Sequence, residues 1–166
     1  MIEDKIRRLK NSNINYSNVN FIKCDFTNEN WIKSIIESKY MKNKISFSSL
    51  LGISYYLTRK EFSNMIKHIS SIVCSGSSIV FDYPTYEESS ETKINQKLAS
   101  KANEKMKSKY TYKDLEKILE DNDFLIYEHL DYKEMTNNYF ENYNILNPNN
   151  KIIAPKGVNY CLAVKK

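Results

Sequence analysis

The stretch from Lys44 to Pro84, KISFSSLLGISYYLTRKEFSNMIKHISSIVCSGSSIVFDYP, constrains the fold more than any other part of the chain. Two apolar, β-rich runs, Ile45 to Leu51 and Ser78 to Tyr83, flank a segment in which Phe62, Met65, Ile66 and Ile69 recur at helical spacing. The order is therefore strand, helix, strand. Thr58 and Glu61 have the spacing of a capping box, in which each side chain accepts a backbone N–H that the first helical turn leaves unpaired, so the helix is predicted to start at Arg59. It is predicted to stop between Cys74 and Gly76, where a glycine takes the left-handed conformation at little steric cost. A helical crossover joins parallel strands, which no tight turn can connect. Ile79, Val80 and Phe81 form a continuous apolar run, as in a strand covered on both faces. Each such side chain contributes about 1.5 to 3 kcal/mol when fully buried.

With 166 residues the chain is expected to form a single domain, residues 1–166, that buries about two thirds of its unfolded surface. No apolar run approaches the roughly 20 residues of a membrane span, and the charged start MIEDKIRRLK has no hydrophobic segment behind it, so a soluble cytoplasmic protein without membrane partners is expected. Cys24, Cys74 and Cys161 are odd in number and widely spaced, with only His68 and His129 as imidazole ligands. Neither a structural zinc site nor a disulfide framework follows from that set; Cys24 and Cys161, in predicted strands, have the pattern of small buried thiols. The net charge of +5 does not indicate nucleic acid, because lysine is spread through a chain rich in Asn, Ile and Tyr. The one compact basic cluster, Lys5, Arg7, Arg8 and Lys10, has the pattern of a solvated helix face.

The remaining elements alternate. Ile2 to Lys10 is a short helix with Ile2, Ile6 and Leu9 on one side, and Asn18 to Phe26, NVNFIKCDF, alternates like a strand. Thr27 is placed to cap a helix carrying Trp31, Ile32, Ile35 and Ile36. The charged, helix-permissive segment 87–109 has few large apolar groups and is either a surface excursion or a lid. Thr111 and Asp114 repeat the capping logic ahead of Leu115, Ile118 and Leu119, with Asn122 as a stop. Phe124 to Leu130 is a strand, Asp131 to Asn142 a helix, and Tyr160 to Val164 a final strand. An α/β sheet with helices on both faces is the expected architecture.

NVNFIKCDFTNENWIKSI, FSSLLGISYYLTRKEFSNMIKHISSIVCSGSSIVFDYP, YTYKDLEKILEDNDFLIYEHLDYKEMTNNYF and NYCLAVKK, in this order, resemble the leucine carboxyl methyltransferase family of S-adenosylmethionine-dependent O-methyltransferases. The parts most specific to that resemblance are Asp25-Phe26 with the Trp31 helix, Gly52 through Thr58, and Ser77 through Tyr83. It implies a partial Rossmann-like class I methyltransferase sheet, mostly parallel with an antiparallel C-terminal strand and lacking the first two strands. It also implies S-adenosylmethionine as cofactor and a chain that corresponds to the C-terminal, truncated portion of such an enzyme. Gly52, Gly76 and Gly157 are the only glycines, so the Gly-rich cofactor turn of the family cannot be assembled.

By the same resemblance Asp25, Phe26, Leu51 and Gly52 are the cofactor-binding positions. Asp25 and Phe26 would lie beside the adenine, or else serve as a strand-end polar group and a core ring. Leu51 stands where the family carries an acidic residue for the cofactor's amino group, a substitution that removes a charged contact typically worth about 1.5 to 3 kcal/mol. Tyr55, Tyr56, Asp82 and Tyr83 are the substrate-binding candidates, the last two at the carboxyl end of a strand, where open α/β sheets place ligands. Neither histidine is placed as a catalytic base, and methyl transfer to an oxygen depends mainly on alignment. The functions that follow are an O-methyltransferase whose cofactor-binding half is supplied elsewhere, or a non-catalytic remnant or partner subunit on the same scaffold. Lacking its first strand, such a sheet would leave the Ile45 to Leu51 edge unpaired, to be met by Asn18 to Phe26, by a second copy or by a separate N-terminal half.

Overall fold

The computed structural model describes residues 2–28, 30–38, 40, 42–101 and 105–166, with the side chains of 91, 95 and 96 excepted. The chain gathers into two compact units, Met1–Lys42 and Asn43–Lys166. The first unit contains α1 (Ile2–Asn11) and α2 (Trp31–Ile36). On α1, Arg7 and Arg8 both pair with Asp4, so part of the basic cluster is neutralised on its own solvated helix.

Asn18 to Phe26 is not a strand, although its residues alternate. The physical reason is pairing. A strand's N–H and C=O groups need a neighbouring ladder, and among the described residues the first unit contains no strand to provide one. The chain turns instead, with the Asp25 carboxylate accepting the Thr27 N–H (2.9 Å) and hydroxyl (2.7 Å). Thr27 is thereby engaged and does not cap α2, whose N-cap is Asn30, without a side-chain hydrogen bond. Phe26 stacks edge-on against the buried Trp31, with ring centroids 5.1 Å apart.

The second unit is built on the strand-helix-strand stretch. β1 (Phe47–Leu50) and β2 (Ser78–Pro84) pair in parallel, Phe47 opposite Ser78 and Leu50 opposite Phe81. They are joined by α3 (Arg59–Ile72). Thr58 and Glu61 form the expected capping box: Glu61 donates its N–H to Thr58 Oγ1 (3.2 Å), and its carboxylate accepts the Thr58 N–H (2.6 Å). The helix ends at Ile72, and Gly76 follows in the left-handed region. Its inner side buries Phe62, Met65, Ile66, Ile69 and Ile72, and Phe62 meets Phe81 edge-on at 5.3 Å.

Beyond β2 come α4 (Ser90–Lys101), α5 (Tyr112–Glu120) and β3 (Phe124–Leu130). A helical stretch follows, α6 (Tyr132–Met135), a π-helical turn (Thr136–Phe140) and α7 (Glu141–Leu146), and β4 (Val158–Lys165) closes the chain. The sheet order is β1-β2-β4-β3, with β4 antiparallel to both neighbours. The last strand therefore lies between β2 and β3, which makes those two run the same way. One face of the sheet carries Ile79, Phe81, Tyr83, Cys161, Ala163 and Phe124, all at most 1% exposed, together with Phe62, Leu115 and Tyr110. The other face carries Val80, Tyr160 and Leu162, which with Met135, Tyr139 and Phe140 line an open apolar groove of about 460 Å³.

Of the 87–109 segment, positions 102–104 lie outside the described residues. Ile94 and Leu98 are exposed on α4, as a surface excursion requires. Its far end returns to the core: Lys107 donates its N–H to the Tyr55 carbonyl (2.8 Å), Tyr110 to the Pro84 carbonyl (2.9 Å), and the Tyr110 ring is fully buried.

Candidate functional site

A parallel pair leaves its strand ends side by side, and at the carboxyl ends of β1 and β2 the chain makes two tight departures. After Leu50 it enters a turn at Gly52 with φ of +72°, a value that L side chains rarely adopt, and a short 3₁₀ turn over Ser54–Tyr56. After Asp82 it runs through Tyr83-Pro84 into the excursion. Between these departures lies a cleft of about 290 Å³ lined by Gly52, Tyr55, Tyr56, Asp82, Lys109 and Gly157 among others.

Asp82 organises this cleft. Its Oδ1 accepts the Gly52 N–H at 2.6 Å, its Oδ2 accepts the Tyr55 hydroxyl at 3.1 Å, and its backbone carbonyl accepts the buried Ser54 hydroxyl at 2.7 Å. Three groups from the turn after β1 are thus fastened to one residue of β2. Burial, and after it the charge of Asp82, pushes the Tyr55 phenol well above its ordinary range, so it remains a donor to the carboxylate. Across the cleft, Gly157 sits with φ of +82°, and a Cβ there would come within 2.6 Å of Thr92 Cγ2 and 2.7 Å of the Glu87 carbonyl.

The sequence candidates separate clearly. Gly52, Tyr55, Tyr56 and Asp82 come together in the cleft. Leu51 is 54% exposed and does not line it. Tyr83 points to the other face of the sheet, fully buried, where its hydroxyl bonds His129 Nε2 at 2.6 Å and accepts from Asn159 Nδ2 at 3.3 Å. Asp25 and Phe26 belong to the first unit, in the turn and ring contact described above. Ser54, Met106, Lys109 and Gly157 were not singled out from the sequence. Only Gly157 carried a signal, as a glycine directly before a strand; the others arrive through chain reversals that no local pattern encodes.

A sheet of parallel strands with an antiparallel last strand set inside it, and a cleft at the carboxyl ends, defines a partial Rossmann-like class I methyltransferase fold. Three solved structures share it. An O-methyltransferase family protein from Burkholderia thailandensis superposes with a TM-score of 0.60 over 99% of this chain and 41% of its own, at 10% identity. A DUF574 family protein from Streptomyces avermitilis gives 0.62 over 87% and 54%, at 13% identity, and the mitomycin 7-O-methyltransferase MmcR gives 0.61 over 99% and 39%, at 8% identity.

Residues 1–70 match the family model of leucine carboxyl methyltransferases. YktD of Bacillus subtilis, classed as an S-adenosyl-L-methionine-dependent methyltransferase, is 34% identical across 98% of this chain and 54% of its own length. The chain is similar to leucine carboxyl methyltransferases over residues 1–70, and it spans about half the length of the curated relative it matches.

Proposed function

We propose that the chain takes part in S-adenosylmethionine-dependent O-methylation, with the cleft between the Gly52 turn and Asp82 as the place where cofactor and acceptor meet. The observation that carries this reading is Asp82 itself. A carboxylate only 9% exposed, fixed on both oxygens and facing a cleft at strand carboxyl ends, stands where open α/β sheets bind ligands. The residues present suit a charged, methyl-bearing ligand: a carboxylate for a cationic group, and the rings of Tyr55 and Tyr56 as walls. S-Adenosylmethionine supplies a methyl group on a sulfonium. When bound, that methyl carbon would be open to attack by an oxygen nucleophile, with the Asp82 carboxylate and the Tyr55 and Tyr56 rings holding the cofactor in place. The protein's contribution is alignment and exclusion of water.

On this reading the chain binds the cofactor by itself and supplies part of a larger site. The cleft, about 290 Å³, is at the bottom of the range of roughly 300 to 1,000 Å³ usual for ligand pockets. The three glycines make no Gly-rich turn. We propose that a further polypeptide, docked on the free edge of β1, completes it; the second reading, a non-catalytic partner subunit, draws on the same free edge.

Isothermal titration with S-adenosylmethionine tests the proposal. A dissociation constant below about 100 μM, some −5.5 kcal/mol, is expected of a working cofactor site. No binding up to millimolar concentration leaves the non-catalytic reading.

A further inference from the structure

Asp82 has two hydrogen bonds but no countercharge. Among the described residues no lysine, arginine or histidine forms an ion pair with it. Lys109 also lines the cleft, yet its ammonium lies 3.7 Å from Glu88. Taking an ionised carboxylate out of water without a partner is expensive, and proteins that keep such a group ordinarily meet it with a cation or a metal.

The two oxygens offer about four acceptor sites, of which the Gly52 N–H and the Tyr55 hydroxyl occupy two. The remaining capacity belongs to whatever enters the cleft. A hard metal ion needs six or more oxygen ligands, or a tight octahedron; among the described residues no group of three or more His, Cys, Asp or Glu converges to provide them. A primary ammonium needs far less, since three N–H donors around one small charge are satisfied by a carboxylate and one or two further acceptors. The space available, about 290 Å³ walled by Tyr55, Tyr56, Pro84 and Met106, fits a small organic molecule whose remaining part is apolar or sulfur-bearing.

We propose that Asp82 is an ammonium-recognition residue, and that, given the methyl-transfer reading above on which this rests, it binds the α-ammonium of the cofactor's methionine part. The acidic group at the carboxyl edge of the sheet is then provided by β2, through Asp82, while position 51 at the end of β1 is an exposed leucine. Tyr55 is a positioning residue in this scheme: it holds Oδ2 and touches no reacting atom.

The test is a titration matrix. S-Adenosylmethionine, its analogue with hydrogen in place of the α-amine, and 5′-methylthioadenosine, which has neither the α-amine nor the sulfonium, are titrated into the wild-type chain and into Asp82→Asn and Tyr55→Phe. Asparagine keeps an acceptor for the Gly52 N–H and removes the charge. Asp82→Asn is expected to weaken S-adenosylmethionine by about ten- to a hundredfold, the range of a lost charged hydrogen bond, and to leave methylthioadenosine within twofold. Tyr55→Phe is expected to weaken the cofactor by less than tenfold. Equal affinity of Asp82→Asn and wild type for S-adenosylmethionine overturns the assignment and leaves the cofactor reading intact. Absence of S-adenosylmethionine binding in the wild type overturns both. Should Asp82→Asn lose methylthioadenosine as well, through misfolding, the wild type decides: the deaminated analogue must bind at least tenfold more weakly than S-adenosylmethionine, and equal affinities refute the inference.

Discussion

Gly157 holds φ at +82° directly before β4, and the space a Cβ would need is already taken by Thr92 and by the backbone of Glu87. Backbone at Glu87 cannot swing aside as a side-chain tip can, so any larger residue must move one wall of the cleft. Gly157→Ala is expected to cost about 1 to 3 kcal/mol, visible as a melting temperature lower by several degrees, and to reduce affinity at the cleft further. A variant as stable as wild type would show that the turn relaxes freely. A second residue-level expectation concerns His129, on the opposite face. Burial lowers its pKa, against the weaker pull of Glu134 and Asp131, and its Nε2 shares a hydrogen bond with the Tyr83 hydroxyl while the Tyr112 ring stands edge-on to it. The folded pKa lies below the unfolded value of about 6.5, so between the two the unfolded chain holds more protons. The contribution is fully present above about pH 6.5 and is lost as the pH falls through the folded value. Urea titrations of wild type and His129→Gln at pH 5, 6 and 7 read it directly: wild type should gain stability with pH more steeply than the variant, and parallel curves would remove His129 from the account.

Helix starts were legible in the sequence because a capping box is a local contract between residues three apart. Thr58 with Glu61 and Thr111 with Asp114 both close as spaced, and they fix the first turns of α3 and α5. The parallel pairing of β1 and β2 was legible for a related reason, since the helix between them leaves no other direct connection. Asn18 to Phe26 was misread because alternation records which faces a strand would have and says nothing of whether a partner exists. The cleft was half legible. Gly52, Tyr55 and Tyr56 were named through the family resemblance and Asp82 also from its place at a strand end, but the bonds from Asp82 to Gly52 and Tyr55 span 30 and 27 positions, and that from Tyr83 to His129 spans 46. Side-chain direction decided the last case: Asp82 and Tyr83 are neighbours on one strand and so face opposite sides of the sheet. At this scale Thr58→Ala is expected to lower stability by about 1 kcal/mol, seen as a reduced urea midpoint at unchanged slope. Thr27→Ala should leave α2 intact, because the Thr27 hydroxyl serves the Asp25 turn and not the helix.

The sheet has two outer strands, and they are not equivalent. β3 carries a register shift between Ile126 and Glu128, a bulge of the kind that turns an edge away from further pairing. β1 has an unbroken register with β2 and nothing of that kind. Beside it Phe47 and Ile45 are 65% and 73% exposed, and Phe47 borders the apolar groove formed with Val80, Tyr139 and Leu162. Among the described residues no strand pairs with this edge, and an unpaired edge beside an apolar face favours the addition of another strand. The solved structures that share this fold carry it inside chains more than twice as long. When this chain is alone, a second copy is the only polypeptide available. Sedimentation velocity at micromolar concentration is therefore expected to show a species heavier than 19.6 kDa whose share rises with concentration. Amides of residues 45–51 should exchange more slowly as that share grows. Phe47→Lys places a charge on the edge and in the groove at once, and should return the chain to monomer with little change in its melting temperature. A wild-type monomer at every concentration, with those amides exchanging freely, would show that the β1 edge recruits nothing in self-association.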